Sequence, residues 1–178
     1  MGPSSLMEII TKDPRRTFLI LLLASIGMIG VALFMEYFLE LKPCILCYMQ
    51  RGAVIFVGLL AAIGYALNPS KVSTFKLLVS SILVFAVVGS ILSIRQLYLQ
   101  GLPSDLVPSC MPDIDYLFST LPFLEIIIIA FTGDGNCAEV LWTFLGISIP
   151  GWVLIALSVV ILYCLFIIVR ANEIHSHK

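Results

Sequence analysis

The sequence predicts an all-α membrane protein, a four-transmembrane-helix bundle with one long loop on its outer side. Three observations predict it. Of the 178 residues, 60% are hydrophobic and 12% charged, against roughly 25% charged in soluble domains, and the mean hydropathy is +1.09. Four separate stretches are long enough to cross a bilayer, whose hydrocarbon core of about 30 Å needs roughly 20 apolar residues in a helix. Between the third and fourth of these, residues 97–148 contain no Lys or Arg at all. By length the chain is one domain, 1–178.

The first span covers about 17–37 and follows Lys12, Arg15 and Arg16. It resembles a signal peptide in that flank, but its apolar run is too long for one and no small-residue cleavage site follows, so it reads as a retained span. The second covers about 44–67, the third about 77–94 and the fourth about 150–169. Lys12, Arg15, Arg16, Lys71, Lys76, Arg170 and Lys178 flank one side of the membrane. The positive-inside rule therefore puts both termini and the short 68–74 connection in the cytoplasm, with the 38–43 connection and the 97–148 loop outside. Within that loop "PFLEIIIIAF" (122–131) is about half a span long and interrupted by Glu125, which fits a short interfacial helix. A net charge of −1 without any basic block argues against a nucleic-acid partner.

The chain has five cysteines: Cys44, Cys47, Cys110, Cys137 and Cys164. By this topology the first four lie at or beyond the outer rim, and the outer compartment of a bacterial cell is oxidising, so Cys110 and Cys137 are natural disulfide partners. Closing the loop of about 27 residues between them would stabilise it by roughly 3–4 kcal/mol in the chain-entropy model. Cys164, inside the fourth span, reads as a small hydrophobe. Zinc is the competing use of four cysteines. It prefers paired clusters such as CxxC…CxxC, whereas Cys110 and Cys137 are far apart and His175 and His177 belong to the opposite side, so no metal is expected.

"LKPCILCYMQRG" (41–52) carries a CxxC pair where the second span begins. Pro43 suits the first position of a helix, which would make Cys44 and Cys47 first-turn residues. A helix N-terminus favours negative charge and so favours thiolate, the form that attacks disulfides. Arg51 falls one turn after Cys47 on the same helical face. It reads either as an interfacial arginine paired with Glu36 or Glu40, or as a cation that stabilises a thiolate or negative charge growing on a ligand oxygen beside Cys47. Arg95, near the outer end of the third span, is a second candidate for that area. A redox dithiol at headgroup depth can meet a lipid-soluble electron carrier, while the loop pair can meet a soluble thiol.

Three stretches, "LKPCILCYMQR", "RQLYLQGLP" leading to "PSCMP", and "GNCAEVLWTFLGISIPGW", resemble in order and spacing the bacterial disulfide bond formation protein B (DsbB) family. With the four spans, the resemblance covers nearly the whole chain. It implies a multi-pass protein of the bacterial inner membrane, taken as a monomer. Such a protein reoxidises a periplasmic DsbA-like thiol oxidase and passes two electrons to a quinone, ubiquinone or menaquinone. Carried over by motif, Cys44 and Cys47 are the quinone-side pair, Cys110 and Cys137 the partner-side pair, and Arg51 assists at the quinone. Many family members carry histidine where this chain has Gln96. Glutamine can donate to a quinone carbonyl, as a cofactor-binding residue would, but cannot become a cation.

Two rival readings make different predictions. A vitamin K epoxide reductase-like protein also joins CxxC to loop cysteines and a quinone, but there the loop pair precedes the CxxC. A four-span scaffold stapled by inert disulfides accounts for neither the Pro43–CxxC arrangement nor Arg51.

Overall fold

The structure, a computed structural model, describes residues 13–103 and 135–176, together with 106, 120, 122, 124, 125 and 128 between them; side chains are described as far as 171. Three long helices come first: α1 (Pro14–Phe38), α2 (Ile45–Leu67) and α3 (Val72–Gln100). A single turn of helix, α4 (Gly135–Ala138), precedes the two-residue strands β1 (Thr143–Phe144) and β2 (Ile147–Ser148), and α5 (Ile149–Ser176) completes the chain. Helices α1, α2 and α3 and residues Ile149–Ala171 of α5 are each long and apolar enough to cross a membrane. Their outer faces carry bare apolar side chains, among them Leu23, Ile26, Leu162 and Val169, a surface suited to lipid rather than water. The molecule is a multi-pass membrane protein.

The helix ends follow local chemistry. Pro14 opens α1, where its missing N–H costs nothing. Asn68 closes α2 in the left-handed region (φ 40°), with its N–H on the Gly64 carbonyl at 3.0 Å. Two expectations are corrected here. Cys44 is the extended N-cap of α2 (φ −78°, ψ 172°) and Pro43 precedes the cap, so Cys44 stands before the first turn, outside the helix. The third helix runs over 72–100 where 77–94 was expected, because Lys76, Arg95, Gln96 and Gln100 end the apolar run without ending the helix. The loop accordingly starts at Gly101. Most of the 122–131 segment expected to form an interfacial helix lies outside the described residues.

The four long helices pack in sequence order around one core. Helix α3 lies against α5 most extensively, α1 against α2 and α2 against α3 nearly as much, and α1 meets α5 only sparsely. Phe18, Val57, Phe75, Ile82, Leu157 and Ile167 are among the buried core side chains, and the Phe18 and Phe75 rings meet edge to face at 5.5 Å. Two glycines permit the close approach of α1 and α2. A Cβ on Gly58 would collide with Ser25, and one on Gly64 with the Phe18 ring. Small residues of this kind let membrane helices gain dispersion contact where no hydrophobic force drives them together. Ser25 Oγ donates across the same seam to the Val54 carbonyl at 2.7 Å.

The β1–β2 hairpin turns on Leu145 (φ 53°) and Gly146 (φ 78°), the two positive-φ positions of a type I′ turn. It is tied down at the head of α5. Trp152 Nε1 donates to the Phe144 carbonyl at 3.2 Å, and Ser148 Oγ donates to Gln100 Oε1 of α3 at 2.8 Å. This fastening holds the end of the loop, with α4, over the N-terminus of α2.

Candidate redox site

Three of the five cysteines converge at that N-terminus. Cys44 Sγ lies 3.3 Å from Cys47 Sγ. Cys137, carried by α4 and fully buried (0% exposed), packs with Cys44, Ile45, Leu46, Leu92 and Leu99, its thiol hydrogen-bonded to that of Cys44. Cys110 lies outside the described residues. Cys164 is buried in α5, within the helix-bundle core. Among the described residues no group of three or more His, Cys, Asp or Glu could hold a metal ion.

The setting of Cys44 departs from the expectation of a stabilised thiolate. This thiol, one residue before the span, is pushed up to about 12, first by the hydrogen-bonded Cys137 thiol and further by burial, against an opposing pull from Cys47. The N-terminus of α2 therefore does not leave Cys44 ionised at neutral pH.

Cys47 faces two ways. On one side Gln96, buried on α3, reaches both sulfurs: its Nε2 donates to Cys44 Sγ at 3.4 Å and to Cys47 Sγ at 3.3 Å. Its Oε1 accepts from Gln50 Nε2 at 2.8 Å. On the other side Cys47 lines a cleft of about 90 Å³ with Met35, Pro43, Gln50, Arg51 and Val153. A larger apolar groove of about 460 Å³ adjoins it between α1 and α5, sharing Met28, Ala32, Met35, Ile149 and Val153 and running on past Trp142 and Trp152. Helices α1 and α5 touch each other only sparsely.

Arg51 enters the cleft while held from α1. One guanidinium nitrogen pairs with Glu36 and the other donates to the Ala32 carbonyl at 3.1 Å. Tyr48 Oη donates to the same Glu36 carboxylate at 3.4 Å, and the Tyr48 ring lies 5.6 Å beneath the guanidinium. Of the two acidic partners foreseen, Glu36 is the one engaged; Glu40 is exposed, at a positive φ of 52°. The structure brings together Cys44, Cys47, Cys137, Gln96 and Arg51. It does not bring Arg95 into the cleft, since that guanidinium lies over the Tyr98 ring at 5.3 Å. Gln96 does not line this cleft; with Cys44 and Cys47 it lines a second, smaller one of about 30 Å³. Sequence reasoning passed over Gln50. The available signal was an uncharged polar side chain within an apolar run, one position before Arg51, where a buried amide requires a partner.

The family model described as "Disulfide bond formation protein DsbB" matches residues 14–167. Over 160 residues the chain is 39% identical to "Disulfide bond formation protein B" of Stutzerimonas stutzeri, covering 90% of this chain and 98% of that protein. It is 43% identical over 149 residues to the protein of the same name from Saccharophagus degradans, 83% and 89% of the two chains. To "Disulfide bond formation protein B 1" of Pseudomonas aeruginosa it is 38% identical over 146 residues, 81% and 88% of the two chains. With a match across all four spans and relatives at this identity over most of both chains, the chain belongs to the DsbB family of disulfide-forming membrane oxidoreductases.

Proposed function

We propose that this protein reoxidises a DsbA-like thiol oxidase of the bacterial periplasm and delivers the two electrons to a quinone in the inner membrane, with both termini cytoplasmic. The observation that carries the reading is the sulfur path. Cys137, at the end of the loop, touches Cys44, and Cys44 touches Cys47, which opens onto the cleft beside Arg51.

Each exchange step makes one S–S bond and breaks one. The partner's thiolate attacks Cys110 Sγ of a Cys110–Cys137 disulfide, and Cys137 leaves as thiolate. Cys137 then attacks Cys44 Sγ of the Cys44–Cys47 disulfide and expels Cys47 beside the cleft. The contact between Cys137 and Cys44 supports this direction of attack. The partner's second thiolate attacks the sulfur bound to Cys110, leaving the partner oxidised. Freed Cys110 attacks Cys137, restores the loop disulfide and releases Cys44. The net result is one oxidised partner and a Cys44–Cys47 dithiol.

The residues around the cleft fit a quinone. Arg51 and Gln50 offer hydrogen-bond donors for carbonyl oxygens beside Cys47, and the adjoining apolar groove offers room for an isoprenoid tail. A quinone held there supplies the two-electron, two-proton acceptor that returns the dithiol to the disulfide. Arg51 would hold the headgroup and stabilise negative charge next to Cys47, while Met28, Met35 and Val153 exclude water. The test is stoichiometric. Purified protein given a reduced DsbA-like partner and ubiquinone or menaquinone under anaerobic conditions should form one quinol per partner disulfide, read by quinone absorbance. Partner oxidation that leaves the quinone absorbance unchanged, or no oxidation with either quinone, would overturn the proposal.

A further inference from the structure

We propose that Gln50 is a positioning residue that acts through Gln96, holding the Gln96 amide with its N–H groups toward the Cys44 and Cys47 sulfurs so that the pair is served by a donor that never titrates. The inference deepens the reading above and rests on Cys47 being the sulfur that faces the acceptor.

The argument begins with burial. Gln50 on α2 and Gln96 on α3 are each only 4% exposed, and a buried primary amide left without partners is costly. Their bond joins two helices: Gln50 Nε2 donates to Gln96 Oε1 at 2.8 Å. The Gln96 amide group then has its Nε2 left to use, and this lies 3.4 Å from Cys44 Sγ and 3.3 Å from Cys47 Sγ. Hydrogen bonds donated to the charged form of an acid favour that form, and bonds to charged groups exceed neutral ones in strength. Gln96 Oε1 also lies 3.6 Å from Cys47 Sγ, where it can accept from the S–H. Gln96 thus meets either protonation state of Cys47, and which state it favours depends on which end of the amide faces the sulfurs.

Gln50 sets that choice. With its Nε2 donating, Oε1 of Gln96 is engaged and Nε2 is aimed at sulfur. If both amides turn together they keep their mutual bond, but Gln96 then presents an acceptor to the sulfurs, which suits S–H. The pair therefore has a thiolate-binding and a thiol-binding register, and the first requires a donor at position 50. No proton enters or leaves either side chain, so the preference holds at any pH in which the protein is folded. Gln50 also lines the cleft, so the same amide joins the sulfurs to the acceptor side.

The test is the pH profile of Cys47 alkylation by iodoacetamide, using the full chain in nanodiscs with Cys44→Ala, Cys110→Ser and Cys137→Ser, and peptide mass spectrometry to assign the label. Gln50→Leu should lower the alkylation rate at pH 7 by about tenfold, while the high-pH plateau, where all of Cys47 is thiolate, stays unchanged. Gln50→Met should do the same, which guards against one variant that packs badly. Gln96→Leu should lower the rate at least as far, and adding Gln50→Leu to it should have no further effect, because Gln50 acts only through Gln96. Unchanged profiles in Gln50→Leu and Gln50→Met would overturn the proposal, as would equal loss with and without Gln96. A changed plateau would overturn it too, since that reports altered access rather than ionisation. Alkylation needs neither quinone nor partner, so failure of the electron-transfer reading would show separately, as wild-type protein that reduces no quinone.

Discussion

At the scale of single residues, Arg51 joins the two alternatives that the sequence left open. It is paired with Glu36, as an interfacial arginine would be, and it lines the cleft beside Cys47, as a functional cation would. The Glu36 carboxylate and the Ala32 carbonyl fix the guanidinium from α1, so its reach into the cleft is set by two helices. Spacing along α2 put Arg51 one turn from Cys47. No spacing rule could choose Glu36 over Glu40, because that choice depends on where α1 ends and on Glu40 taking a left-handed conformation beyond it. Gln50 was overlooked for a similar reason, since its partner lies on another helix, 46 residues away. If Arg51 holds a quinone oxygen through a charged hydrogen bond, such a bond is worth about 1.5–3 kcal/mol. Arg51→Ala should then weaken apparent quinone affinity by roughly ten- to a hundredfold. Arg51→Lys should recover only part of this, because it keeps the charge and loses the planar fork. Quinone titrations of turnover read both. Unchanged affinity in Arg51→Ala would leave the arginine a purely structural tie to Glu36.

At the scale of elements, the helices were legible because each apolar run is longer than any soluble core requires, and the CxxC motif fell at a helix start because Pro43 ends what precedes it. The length of α3 beyond its apolar run was not legible, since hydropathy reports lipid exposure and not helicity. Nor was the placement of α4. A four-residue helix has no periodicity to read, and it is the β1–β2 hairpin, fastened to α3 and α5, that sets it over the CxxC pair. The two loop cysteines should therefore do different work. Cys137 is fully buried against Cys44, so on the proposed path it would pass electrons inward, and it is poorly placed to meet a soluble protein. Cys110 sits in "VPSCMP" between prolines, which favour extended backbone of the kind a partner's groove can bind. With Cys137→Ser, a mixed disulfide between the partner and Cys110 should accumulate, visible as a shifted band on non-reducing gels. Cys110→Ser should give no such adduct through Cys137. The opposite pattern would exchange the two assignments.

At the scale of the whole molecule, the proposed cycle must also run downhill. DsbA-type oxidases have potentials of about −120 mV, whereas ordinary structural disulfides lie below about −300 mV. Pulling two electrons across the 180 mV between those values would cost roughly 8 kcal/mol, at about 1.4 kcal/mol per 30 mV. Electron transfer from the partner to two ordinary disulfides would therefore have an equilibrium constant of only about 10⁻⁶. The bundle answers with location. The sulfur path ends at a cleft that continues into an apolar groove between α1 and α5, which touch only sparsely, a route by which a membrane-soluble oxidant could reach Cys47. On the proposed cycle a terminal acceptor would thus be required for turnover, with the protein's own disulfides acting as conduits rather than as the source of oxidising power. Quinone-stripped protein, mixed anaerobically with excess reduced partner, should oxidise at most about two equivalents, the capacity of its two disulfides, and then stop. Adding quinone should restart oxidation at once, with one partner disulfide formed per quinone consumed. Sustained anaerobic turnover by the stripped protein, with no other acceptor present, would mean that its disulfides are far more oxidising than this argument allows.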